Sequence, residues 1–154
     1  MDKFSIVPNA ECIIESGKGE NAIPSRLLQM GVLPGSKLRI VRVGPMGGTV
    51  EVVIDEAGSI ALRSEELQLL RCKLTAIPLV NYKVMNSDKY RVRELRGGQL
   101  FLRKMKLRGI KEGSIITKIT EKEGFMVAVK RKGEMRVGYG EAEKVILEPF
   151  KNVD

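Results

Sequence analysis

The sequence predicts a mainly β fold made of two tandem small β-barrels, each closed on itself and each carrying one short helix. Two observations carry that prediction. The first is an internal repeat. A shift of 78 residues lays Gly31-Val-Leu-Pro-Gly35-Ser36 on Gly109-Ile-Lys-Glu-Gly113-Ser114, and Ile14, Gly19, Ile23 and Leu27 on Val92, Gly97, Phe101 and Met105. Further on the shift becomes 75, and Val50, Val52, Ile54, Ile60 and Leu62 fall on Phe125, Val127, Val129, Met135 and Val137. The lost residues lie between two strand patterns, where hairpins tolerate changes of length. The second observation is the rhythm within a copy: five short alternating stretches, closely spaced turns and one helical stretch, which fit a small barrel and not a parallel sheet. The copies divide at residues 1–74 and 75–154.

In the first copy Ala10 to Glu15 alternates as a strand, with Cys12 and Ile14 on one face. Gly17-Lys-Gly19 breaks it. Pro24 suits the first position of a helix, and Ser25 to Met30 supplies about two turns with Leu27 and Met30 on one side. Gly31 comes where a helix needs a left-handed terminal residue, and Pro34-Gly35 is the pair favoured at the centre of a type II turn. Strands follow over Lys37 to Val43, Thr49 to Ile54, Ser59 to Arg63 and Leu67 to Cys72. Ser64-Glu-Glu66 reads as a single helical turn between the last two.

The second copy repeats the order: Tyr90 to Glu94, a helix near Leu102 to Arg108, Ile115 to Thr120, Phe125 to Lys130, Glu134 to Val137 and Lys144 to Glu148. The joining segment 73–88 contains Ile77, Leu79, Val80, Tyr82, Val84 and Met85. It is too apolar for a free linker, so part of it is expected to pack.

Composition removes many chemistries. The chain of 154 residues contains no histidine, so no His base, Ser-His or Cys-His pair, or His metal ligand exists within it. The two cysteines, Cys12 and Cys72, belong to no CxxC pattern and are expected to be reduced, partly buried thiols. No apolar run reaches the ~18 residues of a membrane span, and Met1 to Pro8 is no signal peptide, so a cytoplasmic location is expected.

Charge is unevenly placed. Of 27 Lys/Arg and 19 Asp/Glu, nine of each lie in residues 1–75, which leaves eighteen and ten, a balance of +8, for residues 76–154. Such asymmetry points to an acidic partner for the second half: nucleic acid, an anionic membrane surface or an acidic protein face. A solvated basic surface explains it as simply. Leu102-Arg-Lys-Met-Lys-Leu-Arg108 places Arg103, Lys104, Lys106 and Arg108 around a helix, and Lys130-Arg-Lys132 adds charge at a hairpin tip.

Gly44-Pro-Met-Gly-Gly48 lacks the spacing, the Lys-Ser/Thr and the following helix of a phosphate loop, so it reads as a hairpin loop. Glu65 and Glu66 open a helical turn, where the helix dipole favours acids; a cation held by them is a weaker reading. No serine has a base beside it or an elbow motif.

The stretch Arg26-Leu-Leu-Gln-Met-Gly-Val-Leu-Pro-Gly35, with Leu38-Arg-Ile-Val-Arg42, Gly44-Pro-Met-Gly-Gly48 and Ile60-Ala-Leu-Arg-Ser-Glu-Glu-Leu67, resembles the FeoA family over about residues 4 to 72. Residues 88 to 150 are similar but degenerate: Arg108 stands at the place of Met30, Glu112 at that of Pro34 and Gly138 at that of Arg63. The resemblance implies SH3-like barrels, a fold shared with the C-terminal domains of iron-dependent repressors, although no DNA-reading helix-turn-helix is evident. It implies a non-catalytic accessory or regulatory module in ferrous iron transport. The implied partner is the cytosolic domain of a FeoB-type membrane transporter, and self-association is a further expectation.

The contact residues expected from position are Leu28, Gln29, Leu33 and Met46 in the first copy and Arg103, Lys104, Lys106 and Arg108 in the second. No cofactor is expected beyond weak binding of Fe(II) or another divalent cation. The second reading is a nucleic-acid-binding or metal-dependent regulatory SH3-like module.

Overall fold

A computed structural model of the chain describes residues 6–17, 22–81 and 84–150. Most of the Gly17–Gly19 turn and Tyr82, singled out above, lie outside the described residues. The chain divides into two compact units, Met1–Thr75 and Ala76–Asp154. The element order is β1 Glu11–Ile14, α1 Ser25–Gln29, β2 Lys37–Val43, β3 Thr49–Ile54, β4 Ser59–Arg63, α2 Ser64–Leu69 and β5 Cys72–Pro78. It continues with β6 Lys89–Leu95, α3 Gln99–Leu107, β7 Ile115–Glu121, β8 Phe125–Val129, β9 Gly133–Val137, α4 Tyr139–Ala142 and β10 Val145–Pro149.

The first unit orders its strands β4-β3-β2-β1-β5, a four-stranded meander with β5 returning beside β1. In the second the order is β9-β8-β7-β6-β10, and Pro78 and Ile77 at the end of β5 pair with Ile146 and Leu147 on the other edge of β10. The expected closure of each barrel is corrected: among the described residues no ladder joins β4 to β5 or β9 to β10. The reason is local. α2 follows β4 directly and α4 follows β9 after Gly138, so a helix turns the chain away before the two end strands can pair.

Local geometry recurs between the units. Val32 N–H reaches the Leu27 carbonyl at 3.0 Å, and Ile110 N–H the Met105 carbonyl at 2.9 Å. Gly35 N–H donates to Ile14 and Gly113 N–H to Val92, each at 2.7 Å. β2 carries a bulge between Ile40 and Arg42 against β3, and β7 one between Lys118 and Thr120 against β8. Gly31 (φ +93°) and Gly109 (φ +75°) end α1 and α3 in the left-handed region, which side chains with a Cβ enter only under strain.

The first core gathers Cys12, Ile14, Leu27, Val32, Leu38, Ile40, Val50, Val52, Leu62 and Leu67. In the second unit Met105, Ile110, Ile116, Phe125, Val127, Val137 and Leu147 are buried. The alternation read from the sequence therefore points inward along β2, β3, β7 and β8.

Two further expectations are corrected. Leu67 to Cys72 is not a strand: α2 runs to Leu69, and β5 begins at Cys72. Leu67 and Leu70 are buried while Leu69 is 62% exposed, a spacing of three that suits a helix and defeats the alternation of a strand. Cys12 and Cys72 are not free thiols but a disulfide, with Cα atoms 5.4 Å apart. In the joining segment Leu79, Asn81 and Val84 are buried, and Leu79 N–H donates to the Val145 carbonyl at 2.9 Å.

Candidate functional site

On the first unit the site is built around α1 and the turns near it. α1 spans only five residues and buries one side chain, Leu27. Val32 then inserts into the core, so the chain between them must arch outward. That arch leaves Leu28 42% and Leu33 51% exposed, with Gln29 also in solvent. Met46, on the hairpin loop between β2 and β3, is 95% exposed. Leucine and methionine left in water at this level are apolar surface available to a partner.

α2 ties these pieces together. Its first residue, Ser64, donates its hydroxyl to the Gly47 carbonyl, and Ser64 N–H reaches the Gly48 carbonyl at 3.1 Å. Its third residue, Glu66, accepts the Arg63 N–H at 3.1 Å and pairs with Arg26 of α1. One helical turn thus holds both the Met46 loop and the exposed helix. Sequence reasoning treated this turn as a connector and missed Arg26, Ser64 and Glu66 as positioning residues. A serine opening a helix, with a glutamate reaching back to the preceding N–H, is the signal that was present.

Beside the Met46 loop lies an open cleft of about 720 Å³, lined by Val43, Pro45, Ile60 and Ala61 with the ion pair Arg42–Glu51 at 2.8 Å. The Glu51 carboxyl is held below the ordinary range by hydrogen bonds from Arg42 and then Ser59. Glu65 is exposed and Glu66 is engaged by Arg26. Among the described residues no group of three or more Cys, Asp or Glu converges as a metal site would require.

In the second unit Arg103, Lys104 and Lys106 stand exposed on α3. Arg108 differs from them: its guanidinium meets Glu141 of α4 at 2.7 Å, and the same carboxylate accepts the Gly138 N–H at 3.0 Å. Glu141 occupies the repeat position of Glu66, so each unit pins its first helix to its second through one carboxylate. The arginine has moved along its helix by one turn, and Lys104 stands where Arg26 does.

These pins are sensitive to acid. The Glu66 carboxyl is lowered by the hydrogen bond from Arg26 and then by the Arg63 N–H. Burial raises that of Glu141, but the Arg108 and Gly138 hydrogen bonds and the charges of Arg108 and Lys104 outweigh it. A lowered folded-state pKa gives stability that is present above the unfolded value and lost as pH falls through the folded one. Glu66→Gln and Glu141→Gln are therefore expected to lower stability at neutral pH and to flatten its loss below about pH 4. Urea midpoints measured against pH check this; an unchanged acid limb in both variants would contradict it.

Residues 5–74 match the FeoA domain. The solution structure of iron(II) transport protein A from Clostridium thermocellum is similar, with 28% identity and a TM-score of 0.52 over 99% of this chain and 90% of that one. A crystal structure of an iron uptake regulatory protein (FeoA) aligns with 50% of this chain and 100% of its own at 22% identity and a TM-score of 0.45. No curated protein matches the chain.

Proposed function

Because residues 5–74 match the FeoA domain, we propose that the chain is a non-catalytic accessory module of ferrous iron transport that docks on the cytosolic part of a FeoB-type transporter. The likeness to iron(II) transport protein A, which extends over 99% of this chain, supports the assignment to that system. The observation that carries the docking surface is the exposure of Leu28, Leu33 and Met46 on pieces held in place by α2. A surface whose backbone is already fixed loses little entropy on binding. The absence of histidine from the sequence removes His-dependent catalysis from the alternatives.

Leu33→Asp and Met46→Asp put a charge where an apolar anchor would be desolvated, and each is expected to weaken transporter binding about tenfold or more. Both side chains lie in solvent, so folding should be preserved. Pull-down followed by calorimetry against the transporter's cytosolic domain checks this. No association of the unaltered chain at tens of micromolar would defeat the reading.

A further inference from the structure

The second unit carries a surface that the first lacks. On α3, Phe101 and Met105 face the core at a spacing of four. The opposite face presents Leu100, Arg103 and Leu107, at spacings of three and four, with Lys106 beside them. Leu100 is 64% and Leu107 84% exposed. Where the helix ends, the stem of Lys132 lies across Gly109, so the hairpin tip Lys130–Lys132 abuts the end of α3. The loop and the tip line a cleft of about 450 Å³ with Lys111, Lys130, Arg131 and Lys132 against one acid, Glu112. Among the described residues no ion pair engages those four cations, nor Arg103 or Lys106.

The repeat supplies an internal control. At the corresponding places the first unit has the much smaller Ala22 for Leu100, Ser25 for Arg103, Gln29 for Leu107, and Asp55 and Glu56 for Lys130 and Arg131. Asp55 accepts the Lys37 N–H at 2.8 Å, and Glu56 lies 3.6 Å from both Lys37 and Arg39, so that tip is satisfied within its own unit. Leu28 and Leu33 stand at the places of Lys106 and Lys111, and the turn after the helix thus forms alike in both units without Leu100, Leu107 or the unpaired cations. What they add is a surface property.

We propose that this face of the second unit rests on an anionic phospholipid surface. Exposed leucines among uncompensated Lys and Arg suit a headgroup layer, where aliphatic side chains enter the acyl boundary and cations meet phosphates. Single-stranded nucleic acid fits less well, because it requires free aromatic faces. Tyr90, Phe101 and Phe125 are buried, Tyr139 is 47% exposed but packs edge-on against Phe125 at 5.2 Å, and Phe150 is half-buried with the Arg91 guanidinium over its ring. The proposal concerns α3 and the Lys130–Lys132 tip and does not rest on the transporter reading.

The test is co-sedimentation of the full chain with phosphatidylcholine vesicles, with and without about 30 mol% phosphatidylglycerol. Binding is expected only with the anionic lipid and is lost between roughly 0.05 and 0.5 M salt. Arg103→Gln and Lys106→Gln each weaken it about fivefold. The pair Leu100→Ser with Leu107→Ser weakens it without changing the melting temperature, since both side chains are in water. Leu28→Ser, on the other unit, leaves it unchanged, which separates this surface from the transporter-docking one. Equal binding to neutral vesicles, no binding to anionic vesicles at low salt, or full binding by the double leucine variant overturns the proposal. Tighter binding of a short oligonucleotide than of vesicles at matched phosphate overturns it in favour of nucleic acid.

Discussion

Leu27→Ala is expected to cost the first unit about 2–5 kcal/mol, the range for emptying a buried leucine site. Leu27 is fully buried and is the only residue of α1 in the core. Its side chain is therefore the whole anchor of a five-residue helix that has no stability of its own. The consequence reaches function, because the helix that presents Leu28 and Gln29 loses its seat. Transporter binding should weaken together with the urea midpoint. Met105→Ala is the matching experiment in the second unit, where Met105 is also fully buried but shares α3 with buried Phe101. Its local damage should be smaller, because Phe101 still holds the helix. A shift below about 0.5 kcal/mol for Leu27→Ala would show that α1 is held by something other than this contact.

Reducing the Cys12–Cys72 disulfide is expected to lower the stability of the first unit by roughly 4 kcal/mol, the loop-closure entropy for a loop of this size. The bridge joins β1 to the start of β5 across a sequence separation of 60, so it closes nearly the whole unit on itself. Both cysteines lie in the core with Leu27, and losses from the bridge and from Leu27→Ala should not add. Thermal melts with and without dithiothreitol read the effect. Thiol titration of the urea-unfolded, unreduced protein reads its cause. Two reactive thiols per chain would contradict the bridge, and an unchanged melt after full reduction would contradict its contribution.

Much of the architecture was legible because it rests on short-range chemistry. Gly31 and Gly109 stop their helices where the sequence places a left-handed residue. Val50, Val52 and Ile54 alternate as one buried face, and Phe125, Val127 and Val129 do the same. What stayed hidden depends on contacts distant in the chain. Leu67-Gln-Leu-Leu70 fits both a strand and a helix until the core selects Leu67 and Leu70 together and leaves Leu69 outside. Cys12 and Cys72 sit far apart in sequence, and only the β1–β5 arrangement brings them together. α4 was invisible because Tyr139-Gly-Glu-Ala142 has weak helix propensity; its Glu141 cap and Arg108 pair make it.

The candidate site was less legible than the fold. Leu28, Leu33 and Met46 were named from position, and the structure leaves all three in solvent. What orders them was not foreseen: the Arg26–Glu66 pair and the Ser64 hydrogen bonds to the hairpin loop. Each partner is an ordinary surface residue in the sequence, and only the fold shows that one short helix holds two exposed segments. The charge of the second half was plain from counting. That Arg103, Lys106 and Lys130 to Lys132 sit beside two outward leucines with no ion pair among the described residues was not, since a helix as short as α3 does not declare its buried face from composition.

The most direct test of the account is a residue-resolved titration of the isotope-labelled chain with the transporter's cytosolic domain, followed by amide chemical shifts. The account predicts perturbations centred on residues 28–33 and 44–48, with the amides of the second unit's α3 unmoved. A response confined to the second unit, or none at saturating transporter domain, would contradict it.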